Sequence, residues 1–334
     1  MNEQFELAII IPAYKPRFLA RALESINAQT DQRFRIYVGD DCSPHSLETI
    51  VKDTHFPDDQ IIYKYFCNNL GGTSLVRQWE RCINLSNEPW IWLFSDDDVM
   101  EPNCVEQFYQ EMTHDKRECD LFRFNTLVID RDDYVTDMNP KHPEWEPWNE
   151  FSYFLLQDLR RVFQQEFIFR RAEYQRIGGF LDLPLAWASD HVFAIACSRK
   201  AGVRTIGGAR VYFRQSGENI SSQMSVSVER VKWQAFTAYT DWLISYFVMQ
   251  QTVKFPTSSA LVSLVKYRYY RNLSNSKRWR SVSECRALAK YLGHRFEESN
   301  QSVFWRLIRL NMSAIRQSFG HIIRKAFANL IRRF

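Results

Sequence analysis

The feature that most constrains the fold is an alternation of short apolar runs with amphipathic stretches across the first 220 residues. The runs are short and bounded by Pro, Gly or Asp, which is typical of buried strands. The clearest runs are Phe5–Ile11, Phe34–Val38, Ile61–Phe66, Trp90–Phe94 and Leu121–Ile129. Apolar residues recur at helical spacing in residues 16–29, 72–85 and 101–112. This alternation predicts an α/β fold with a mostly parallel sheet flanked by helices.

Polar clusters follow three of the predicted strands. They are the Tyr-Lys pair at 14–15, the Asp-Asp pair at 40–41, and three consecutive aspartates at 96–98, here called the Asp triplet. In parallel sheets ligands bind outside the carboxyl ends of the strands. The three clusters are therefore expected to meet in one cleft. Residues 130–150 are polar, acidic and rich in Pro and Trp, and are expected to form a loop over that cleft.

The Asp triplet is the strongest single candidate site. Adjacent carboxylates repel one another, and a divalent cation relieves that repulsion. Oxygen ligands suit Mg²⁺ or Mn²⁺, which usually bind substrate phosphates as well. An isolated Asp-rich turn is more often a solvated loop. The position of the triplet after the apolar run WIWLF, with a second Asp pair after another strand, favours a metal or ligand site.

Two other acidic positions each admit two interpretations. Asp40 and Asp41 could accept hydrogen bonds from a nucleobase and a ribose, or could cap a turn or helix, since Asp favours both. Ser43, at a predicted helix start, could do the capping and leave the Asp pair available. Asp190 lies in the predicted first turn of a helix over 190–201, with Ser189 as the predicted N-cap. By itself that position is typical of a capping carboxylate, which the helix dipole favours.

Charge and cysteine content predict the organisation of the chain. Residues 225–334 carry a net charge of +14 and residues 1–224 a net charge of −10. We therefore expect a catalytic or binding domain over 1–224 and a basic, mainly helical region over 225–334. The seven cysteines are odd in number and scattered, which predicts reduced thiols rather than disulfides or a zinc site. No secretion signal and no membrane-length apolar run is visible, so we expect a cytoplasmic protein.

The last part of the chain predicts an amphipathic basic helix over about 303–333. Residues 303–334 contain no acidic residue, and apolar side chains recur every three or four positions from Phe304 through Ile308 and Met312. Such a helix is typical of one that lies on an anionic membrane surface. The alternative is a helix packed on the protein's own core or on a partner subunit, so an oligomer is possible. No nucleic-acid-binding module accompanies the charge, and no nucleic acid partner is predicted.

Six stretches, taken in order, resemble the inverting, nucleotide-sugar-dependent glycosyltransferases of family 2, which have the GT-A fold. They are IIIPAYKPRFLARALESINAQT, FRIYVGDDCS, NNLGGTSLVRQ, EPWIWLFSDDDVMEP, IGGFLDLPLAWASDHVF and VYFRQSGENIS. Together they cover about residues 5–222. Two departures stand out: Ser95 replaces the first Asp of the family's metal motif, and Ser189 stands where the family often has Glu.

The resemblance implies a role for each matched position. Donor binding is implied for Pro12, Ala13 and Tyr14 in the base pocket, Asp40 and Asp41 at the nucleobase, Asp96 at the ribose, Asp98 near the sugar, and Arg77 and Arg214 at phosphate or neighbouring carboxylates. Asp97, together with Asp98, would hold Mn²⁺ or Mg²⁺ at the diphosphate. Asp190 would be the general base. Because Ser95 interrupts the motif, the sequence does not decide which of Asp97 and Asp98 binds the metal more strongly.

The resulting hypothesis is a metal-dependent, inverting transfer of one hexose or N-acetylhexosamine from a nucleotide-sugar, by default a UDP-sugar, to a hydroxyl. The acceptor would be a glycan or a lipid-linked saccharide of cell-surface polysaccharide or lipopolysaccharide synthesis, with the enzyme at the inner face of the membrane. Two alternatives stay open. One is a sugar nucleotidyltransferase, although PAYKPR stands where a glycine-rich phosphate loop is expected. The other is a non-catalytic nucleotide-binding scaffold of the same fold.

Overall fold

The computed structural model describes residues 5–217, 225–275 and 280–312. The strands are β1 (Leu7–Ala13), β2 (Phe34–Asp40), β3 (Ile61–Tyr65), β4 (Trp90–Leu93), β5 (Val99–Met100), β6 (Leu121–Ile129), β7 (Val135–Met138), β8 (Trp145–Glu146), β9 (Phe167–Arg170) and β10 (Val203–Arg214). The helices are α1 (Leu19–Asn27), α2 (Leu47–Lys52), α3 (Leu75–Ile83), α4 (Cys104–His114), α5 (Trp148–Leu156), α6 (Arg171–Ile177), α7 (Ser189–Cys197), α8 (Val226–Met249), α9 (Ser258–Asn275), α10 (Val282–Arg295) and α11 (300–312). This confirms the predicted α/β fold.

One half of the sheet is parallel and carries the predicted strand ends. Strands β3, β2, β1 and β4 lie side by side in that order, all parallel. β1 is buried along almost its whole length because helices cover both faces of a parallel sheet. It stays in register with β2 to the end, with Pro12 opposite Gly39 and Ala13 opposite Asp40. The carboxyl ends of β1, β2 and β4 therefore share one edge, as predicted.

The other half of the sheet is mixed, which the sequence pattern did not indicate. β9 lies antiparallel between β4 and β6, and the 12-residue β10 runs parallel to β6. The two-residue β5 pairs antiparallel with β10, with Met100 opposite Val211 and Val99 opposite Tyr212. The Asp triplet lies in the turn between β4 and β5. This pairing therefore brings the end of β10 beside the triplet.

A glycine lets helix α3 approach the strand that leads to the Asp-Asp pair. A Cβ atom on Gly39 would lie 2.2 Å from the Sγ atom of Cys82. Gln78 of the same helix donates from Nε2 to the Gly39 carbonyl at 3.0 Å. α3 is thus held directly against the end of β2, where its side chains can reach Asp41.

The chain divides into two compact units, Met1–Leu243 with Gln251–Thr257, and Ile244–Gln250 with Ser258–Phe334. The described part of the second unit is helical, as expected for the basic region. The boundary at residue 224 stays a prediction. Across the residues that the structure describes, no helix is both long and apolar enough to span a bilayer.

Helix α11 shows where the start of the predicted amphipathic helix packs. Its buried positions are Val303, Leu307 and Asn311, spaced four residues apart, and Asn311 donates from Nδ2 to the Arg280 carbonyl at 2.7 Å. The predicted apolar stripe is one position off this face, since Met312 is 49% exposed. The rest of the predicted helix, 313–333, lies outside the described residues.

Candidate functional site

Residues at the end of β1 join the two acidic clusters. The backbone N–H groups of Tyr14 and Lys15 donate to Oδ2 of Asp96 at 2.9 and 3.2 Å. On the other side, the carbonyl of Ala13 accepts the N–H of Asp41 at 2.9 Å. The Tyr14 side chain is 40% exposed, so its ring can contact a ligand. Tyr14 and Asp96, which are 82 residues apart in sequence, thus meet, as the strand pattern predicted.

Asp40 is buried and satisfied by neighbouring groups. Its Oδ1 accepts the Ser43 N–H at 2.7 Å, and its Oδ2 accepts the Tyr63 hydroxyl at 2.5 Å. The hydroxyl of Ser43 donates to the Tyr14 carbonyl at 2.7 Å. Helix α2 begins only at Leu47, so the prediction of Ser43 as a helix cap was wrong. Ser43 instead fixes the turn after β2 against β1.

Asp41 organises the loop that precedes α3. Its carboxylate accepts the N–H groups of Leu70 and Gly71 at 2.7 and 2.8 Å, and it forms an ion pair with Arg81. A Cβ atom on Gly71 would lie 2.6 Å from Asp41 Oδ2, so glycine is needed for this approach. A carboxylate offers about four acceptor positions. Three are used here, which leaves room for one donor from a ligand.

Two arginines share one face of α3 but contact different carboxylates. Arg77 lies in the first turn, with Nε 3.5 Å from Asp182 Oδ2, and its side chain is 68% exposed. Ser74, the N-cap of α3, donates to the other oxygen of Asp182 at 2.8 Å. The arginine that contacts Asp41 is Arg81, one turn later, and sequence analysis missed it. Helical spacing places both on the same side, so only the tertiary contact distinguishes them.

Asp98 and Arg214 form the buried floor of the site. Asp98 is 0% exposed and its Oδ1 accepts the Arg214 N–H at 2.7 Å. Burial and the charge of Asp97 raise the pKa of Asp98 well above its ordinary value. The Arg214 guanidinium donates to the carbonyls of Asp97 and Asp130 at 2.7 and 2.9 Å and pairs with Asp133 at 2.5 Å. Of the two contacts predicted for Arg214, the one with a neighbouring carboxylate is present.

The triplet can contribute to a metal site but does not complete one. No three ligating side chains converge on one point anywhere in 5–217, 225–275 or 280–312. Asp98 keeps one buried oxygen, Oδ2, without a hydrogen-bond partner, and burial with the charge of Asp96 raises the pKa of Asp97 to about 7. Mg²⁺ is commonly held by one or two carboxylates together with substrate phosphates. These residues fit an ion that takes its remaining ligands from a bound diphosphate.

The segment before Asp190 has an unusual backbone. Leu185, Ala186 and Ala188 have φ angles of 60°, 51° and 68°, in the left-handed region that residues other than glycine rarely adopt. Helix α7 begins at Ser189 with Ala188 as its N-cap, so the prediction of Ser189 as the N-cap was wrong. Strain of this kind is concentrated at functional sites. Here it sets the direction in which α7, and with it Asp190, enters the fold.

Asp190 is a half-buried carboxyl group in the first turn of α7. Burial raises its pKa, and the neighbouring His191 counters this in part. His191 is in turn 3.4 Å from the Tyr239 hydroxyl through its Nδ1 atom. A carboxylate whose pKa is raised toward neutrality is a stronger base. This electrostatic setting suits proton abstraction better than helix capping alone.

A second buried carboxyl, Glu166, lies close enough to Asp190 for their charges to interact. Glu166 is 0% exposed, accepts the Thr126 hydroxyl at 2.7 Å through Oε2, and has no partner for Oε1. Burial and the charge of Asp190 raise its pKa to about 8. Gln164, in the same 3₁₀ turn (Gln164–Glu166), donates to the Leu93 carbonyl at the end of β4 at 2.7 Å. This turn therefore connects the strand that precedes the Asp triplet with the surroundings of Asp190, and no sequence motif indicated it.

The family and the fold of the chain have counterparts among known proteins. The family model described as glycosyl transferase family 2 matches residues 8–176, about half of the chain. The structure of S. aureus TarS residues 1–349 is similar with a TM-score of 0.65 and 10% identity, covering 93% of this chain and 89% of that one. The same TarS region solved in complex with UDP-GlcNAc gives a TM-score of 0.66 and 13% identity over the same shares of the two chains. A further S. aureus TarS structure has a TM-score of 0.62 and 12% identity, with 93% of this chain and 54% of that one covered.

No curated protein matches the chain in sequence. At these identities the TarS structures show the fold alone, a GT-A-type sheet flanked by helices and followed by further helices. The family match covers β1 to α6 and so includes the Asp-Asp pair and the Asp triplet. The chain is a member of glycosyl transferase family 2.

Proposed function

We propose that the protein transfers a single sugar from a nucleoside-diphosphate sugar to an acceptor hydroxyl with inversion of configuration. The observation that carries the proposal is the meeting of Asp96 with the end of β1, which builds one cleft edge from two distant acidic clusters. Asp190, a carboxyl group with a raised pKa, is connected to the same edge through the turn Gln164–Glu166. A donor site and a base on one edge are the two parts that direct displacement requires.

In this mechanism the chain's own residues bind, orient and move one proton. Tyr14 would face the nucleobase from its exposed position, while Asp41 would use its remaining acceptor position for a base N–H. Asp96, held by the N–H groups of Tyr14 and Lys15 just after β1, would lie at the ribose. The carboxylate of Asp190 would take the proton of the acceptor hydroxyl as that oxygen attacks the anomeric carbon opposite the departing diphosphate. Inversion follows from this single displacement.

A divalent cation is proposed to stabilise the negative charge that develops on the departing diphosphate. Asp97 and Asp98 would hold Mn²⁺ or Mg²⁺, which when bound stabilises negative charge on the diphosphate as a Lewis acid. The support for this is the unpartnered Oδ2 of Asp98 and the raised pKa of Asp97. A bound cation would pair with that oxygen and would lower the pKa of Asp97.

The donor is proposed to be a UDP-sugar carrying a hexose or N-acetylhexosamine. The support is the similarity to TarS, which has been solved with UDP-GlcNAc and with UDP. The acceptor would be a hydroxyl of a glycan or a lipid-linked saccharide in cell-surface glycan synthesis. We expect residues 130–160 to contact the acceptor. Asp130 and Asp133 of this region both contact Arg214, which also contacts the Asp triplet.

The test is a thermal-shift panel of UDP, GDP, CDP and dTDP with and without Mn²⁺, followed by donor turnover with the nucleotide that binds. A ligand at 100 times its dissociation constant adds about 2.7 kcal/mol to the free energy of unfolding. We expect one nucleotide to stabilise only with the metal, and Asp97→Ala to lose that effect. Asp190→Asn should bind the nucleotide normally and lower kcat by at least about 100-fold. Wild-type turnover in Asp190→Asn would show that Asp190 is not the general base.

Two alternative activities give different results in the same assay. Release of pyrophosphate from a nucleoside triphosphate and a sugar phosphate would identify a nucleotidyltransferase. Nucleotide binding without turnover, with any acceptor preparation, would identify a binding scaffold. Release of nucleoside diphosphate that depends on an acceptor is the result expected of a glycosyltransferase.

We further propose that the protein binds the inner face of the cell membrane through its basic region. The support is the net charge of +14 over residues 225–334, together with an exposed line on α11 formed by Trp305, Arg309 and Met312. Tryptophan and basic residues favour anionic bilayer surfaces. The test is sedimentation with phosphatidylglycerol vesicles and with phosphatidylcholine vesicles. Arg324→Glu with Lys325→Glu should weaken only the anionic binding, by about 1 kcal/mol or more per residue, whereas the exposed Lys52→Glu should not.

A further inference from the structure

Asp182 lies at the start of helix α3, on the segment that leads to helix α7. Its Oδ1 accepts a hydrogen bond from the hydroxyl of Ser74, the N-cap of α3, at 2.8 Å. Its Oδ2 lies 3.5 Å from Nε of Arg77 in the first turn of the same helix. The positive end of the helix dipole favours a carboxylate at this position. The segment around Asp182 is therefore joined to α3 by a charge-assisted hydrogen bond and an ion pair.

The two residues that flank Asp182 hold the first residue of α7. The hydroxyl of Ser189 donates to the Leu181 carbonyl at 2.6 Å and accepts the Leu183 N–H at 3.4 Å. Ser189 is 0% exposed and Leu183 is 3% exposed, so these bonds lie inside the protein. Asp190, the proposed base, directly follows Ser189. The start of α7 is thus fixed by the same short segment that contacts α3.

Helix α7 depends on this segment because its own start is weakly capped. Ala188, the N-cap, has a methyl side chain that cannot accept a hydrogen bond from the first turn. Its φ angle of 68° also places it in the strained left-handed region. The hydroxyl of Ser189 is directed back to the 181–183 segment instead. A displacement of that segment would therefore be passed on to Asp190.

The contact of Asp182 with α3 also leads to the donor side of the site. The Ser74 N–H donates to the Leu70 carbonyl at 2.8 Å. The N–H groups of Leu70 and Gly71 in turn donate to Asp41, the carboxylate proposed to accept a nucleobase N–H. Hydrogen bonds and short backbone segments therefore join the turn at the proposed nucleobase site with the start of the helix that carries the proposed base.

We propose that Asp182 is a positioning residue for the general base, because it holds the start of α7 against the start of α3. The inference rests on the proposed function, since it assumes that Asp190 takes a proton. Asp182 itself touches neither the donor nor the acceptor in this role. A base must lie within hydrogen-bond reach of the proton, and a displacement of about 1 Å can lower the rate by about 100-fold. Loss of Asp182 should therefore lower turnover without lowering the affinity for nucleotide.

The experiment measures UDP release from UDP-glucose and UDP-GlcNAc with water as the acceptor, together with the Kd of UDP by calorimetry. Water stands in for the acceptor hydroxyl, since Asp190 would take its proton in the same way. Asp182→Ala should lower kcat about tenfold and leave the donor KM and the UDP Kd within about twofold. Ser74→Ala should have the same effect, whereas Ser74→Thr, which keeps the hydroxyl, should stay within about threefold of wild type. Glu48→Ala, which removes an exposed carboxylate paired with Lys52 at 2.7 Å on α2, is the matched control and should leave kcat unchanged.

The Asp190→Asn background separates positioning from a general structural role. If Asp182 acts through the carboxylate of Asp190, Asp182→Ala should lower the residual turnover of Asp190→Asn by less than about twofold, because residues that act as a unit are not additive. The same loss in both backgrounds would mean that Asp182 supports the fold in general. An unchanged kcat in Asp182→Ala, or a raised UDP Kd that accounts for the whole loss, would mean that Asp182 does not position the base. Each of these three results overturns the proposal.

Hydrogen exchange tests the same contact without turnover. The Val192 N–H donates to the Ala188 carbonyl at 3.1 Å and closes the first turn of α7. Its exchange should be at least about threefold faster in Asp182→Ala than in wild type or Glu48→Ala. Equal exchange in all three proteins would overturn the proposal, whatever the turnover. Wild-type turnover in Asp190→Asn, with faster exchange in Asp182→Ala, would show instead that the proposed base is wrong, and the role of Asp182 would be overturned with it.

Discussion

At the scale of single residues, the site depends on which of two similar side chains makes a contact. Arg77 and Arg81 lie on the same face of α3, yet only Arg81 forms the ion pair with Asp41. The Arg81–Asp41 pair is almost buried, with side-chain exposures of 17% and 5%. The Arg77–Asp182 pair has exposures of 68% and 41%. Burial therefore predicts very different consequences for the same substitution.

Replacing Arg81 with Met should destabilise the protein far more than replacing Arg77 with Met. Breaking a buried pair leaves an uncompensated carboxylate and costs about 3 kcal/mol or more. An exposed pair contributes at most about 1 kcal/mol. The measurement is the free energy of unfolding of both variants in urea. Similar decreases in the free energy of unfolding of the two variants would contradict the argument from burial.

Glu166 makes stability depend on pH. Its pKa is about 8 in the folded protein against an ordinary value of 4.5, so the folded state holds the proton more tightly than the unfolded chain does. Between these values the folded state binds more protons. The free energy of unfolding therefore falls as pH rises, by at most about 1.4 kcal/mol per pH unit from this group. Above about pH 8 this loss is complete.

Glu166→Gln removes that titration while keeping a similar shape. We expect the Tm of the variant to rise relative to that of the wild type from pH 5 to about pH 8 and to level off above that. The measurement is thermal unfolding of both proteins at several pH values in this window. Asp137→Asn, at an exposed carboxylate paired with Arg161, is the control and should show no such gain. A constant Tm difference across the window would show that Glu166 is ionised throughout.

At the scale of elements, the turn before α7 is strained and α7 itself is regular. Ala188 has a φ angle of 68°, whereas Ala194 is a buried interior residue of the helix. Glycine adopts the left-handed region without penalty but weakens a helix interior by about 1 kcal/mol. The same substitution should therefore have opposite effects at two positions six residues apart.

Ala188→Gly should leave the free energy of unfolding unchanged or raise it by up to about 1 kcal/mol. Ala194→Gly should lower it by about 1 kcal/mol or more, because it also loses a buried methyl group. Chemical denaturation of the two variants measures both values. A clear decrease in the free energy of unfolding of Ala188→Gly would mean that the left-handed turn carries no strain. Activity of Ala188→Gly would then show whether the orientation of Asp190 depends on that turn.

At the scale of the whole molecule, acidic groups with raised pKa values are concentrated around one edge of the sheet. Burial raises the pKa of each of them; they are Asp96, Asp97, Asp98, Glu166 and Asp190. As pH rises they must ionise in a site that disfavours charge, and stability falls for the reason given for Glu166. A divalent cation binds the ionised forms and should reverse part of that loss.

Mn²⁺ should therefore raise the Tm at pH 8 and have little effect at pH 5, where the triplet holds more protons. The measurement is thermal unfolding with and without the ion, in the absence of any nucleotide. Asp98→Asn should reduce the effect of Mn²⁺, whereas Asp53→Asn, at the exposed C-cap of α2, should not. An equal Mn²⁺ effect at both pH values would contradict binding to carboxylates of raised pKa.

The sequence alone predicted β1, β2, β3, β4 and β6, the helices α1, α3 and α4, and the strand ends where Asp40, Asp41 and the Asp triplet lie. Those inferences depend on apolar periodicity, which is a local property of the chain, and on the general rule that parallel strands share one carboxyl edge. Tertiary structure decided the antiparallel insertion of β9, the pairing of β5 with β10, the choice of Arg81 over Arg77, and the burial of Glu166 near Asp190. These depend on contacts between residues far apart in the chain, and neither spacing nor residue type specifies which distant partner a side chain will meet.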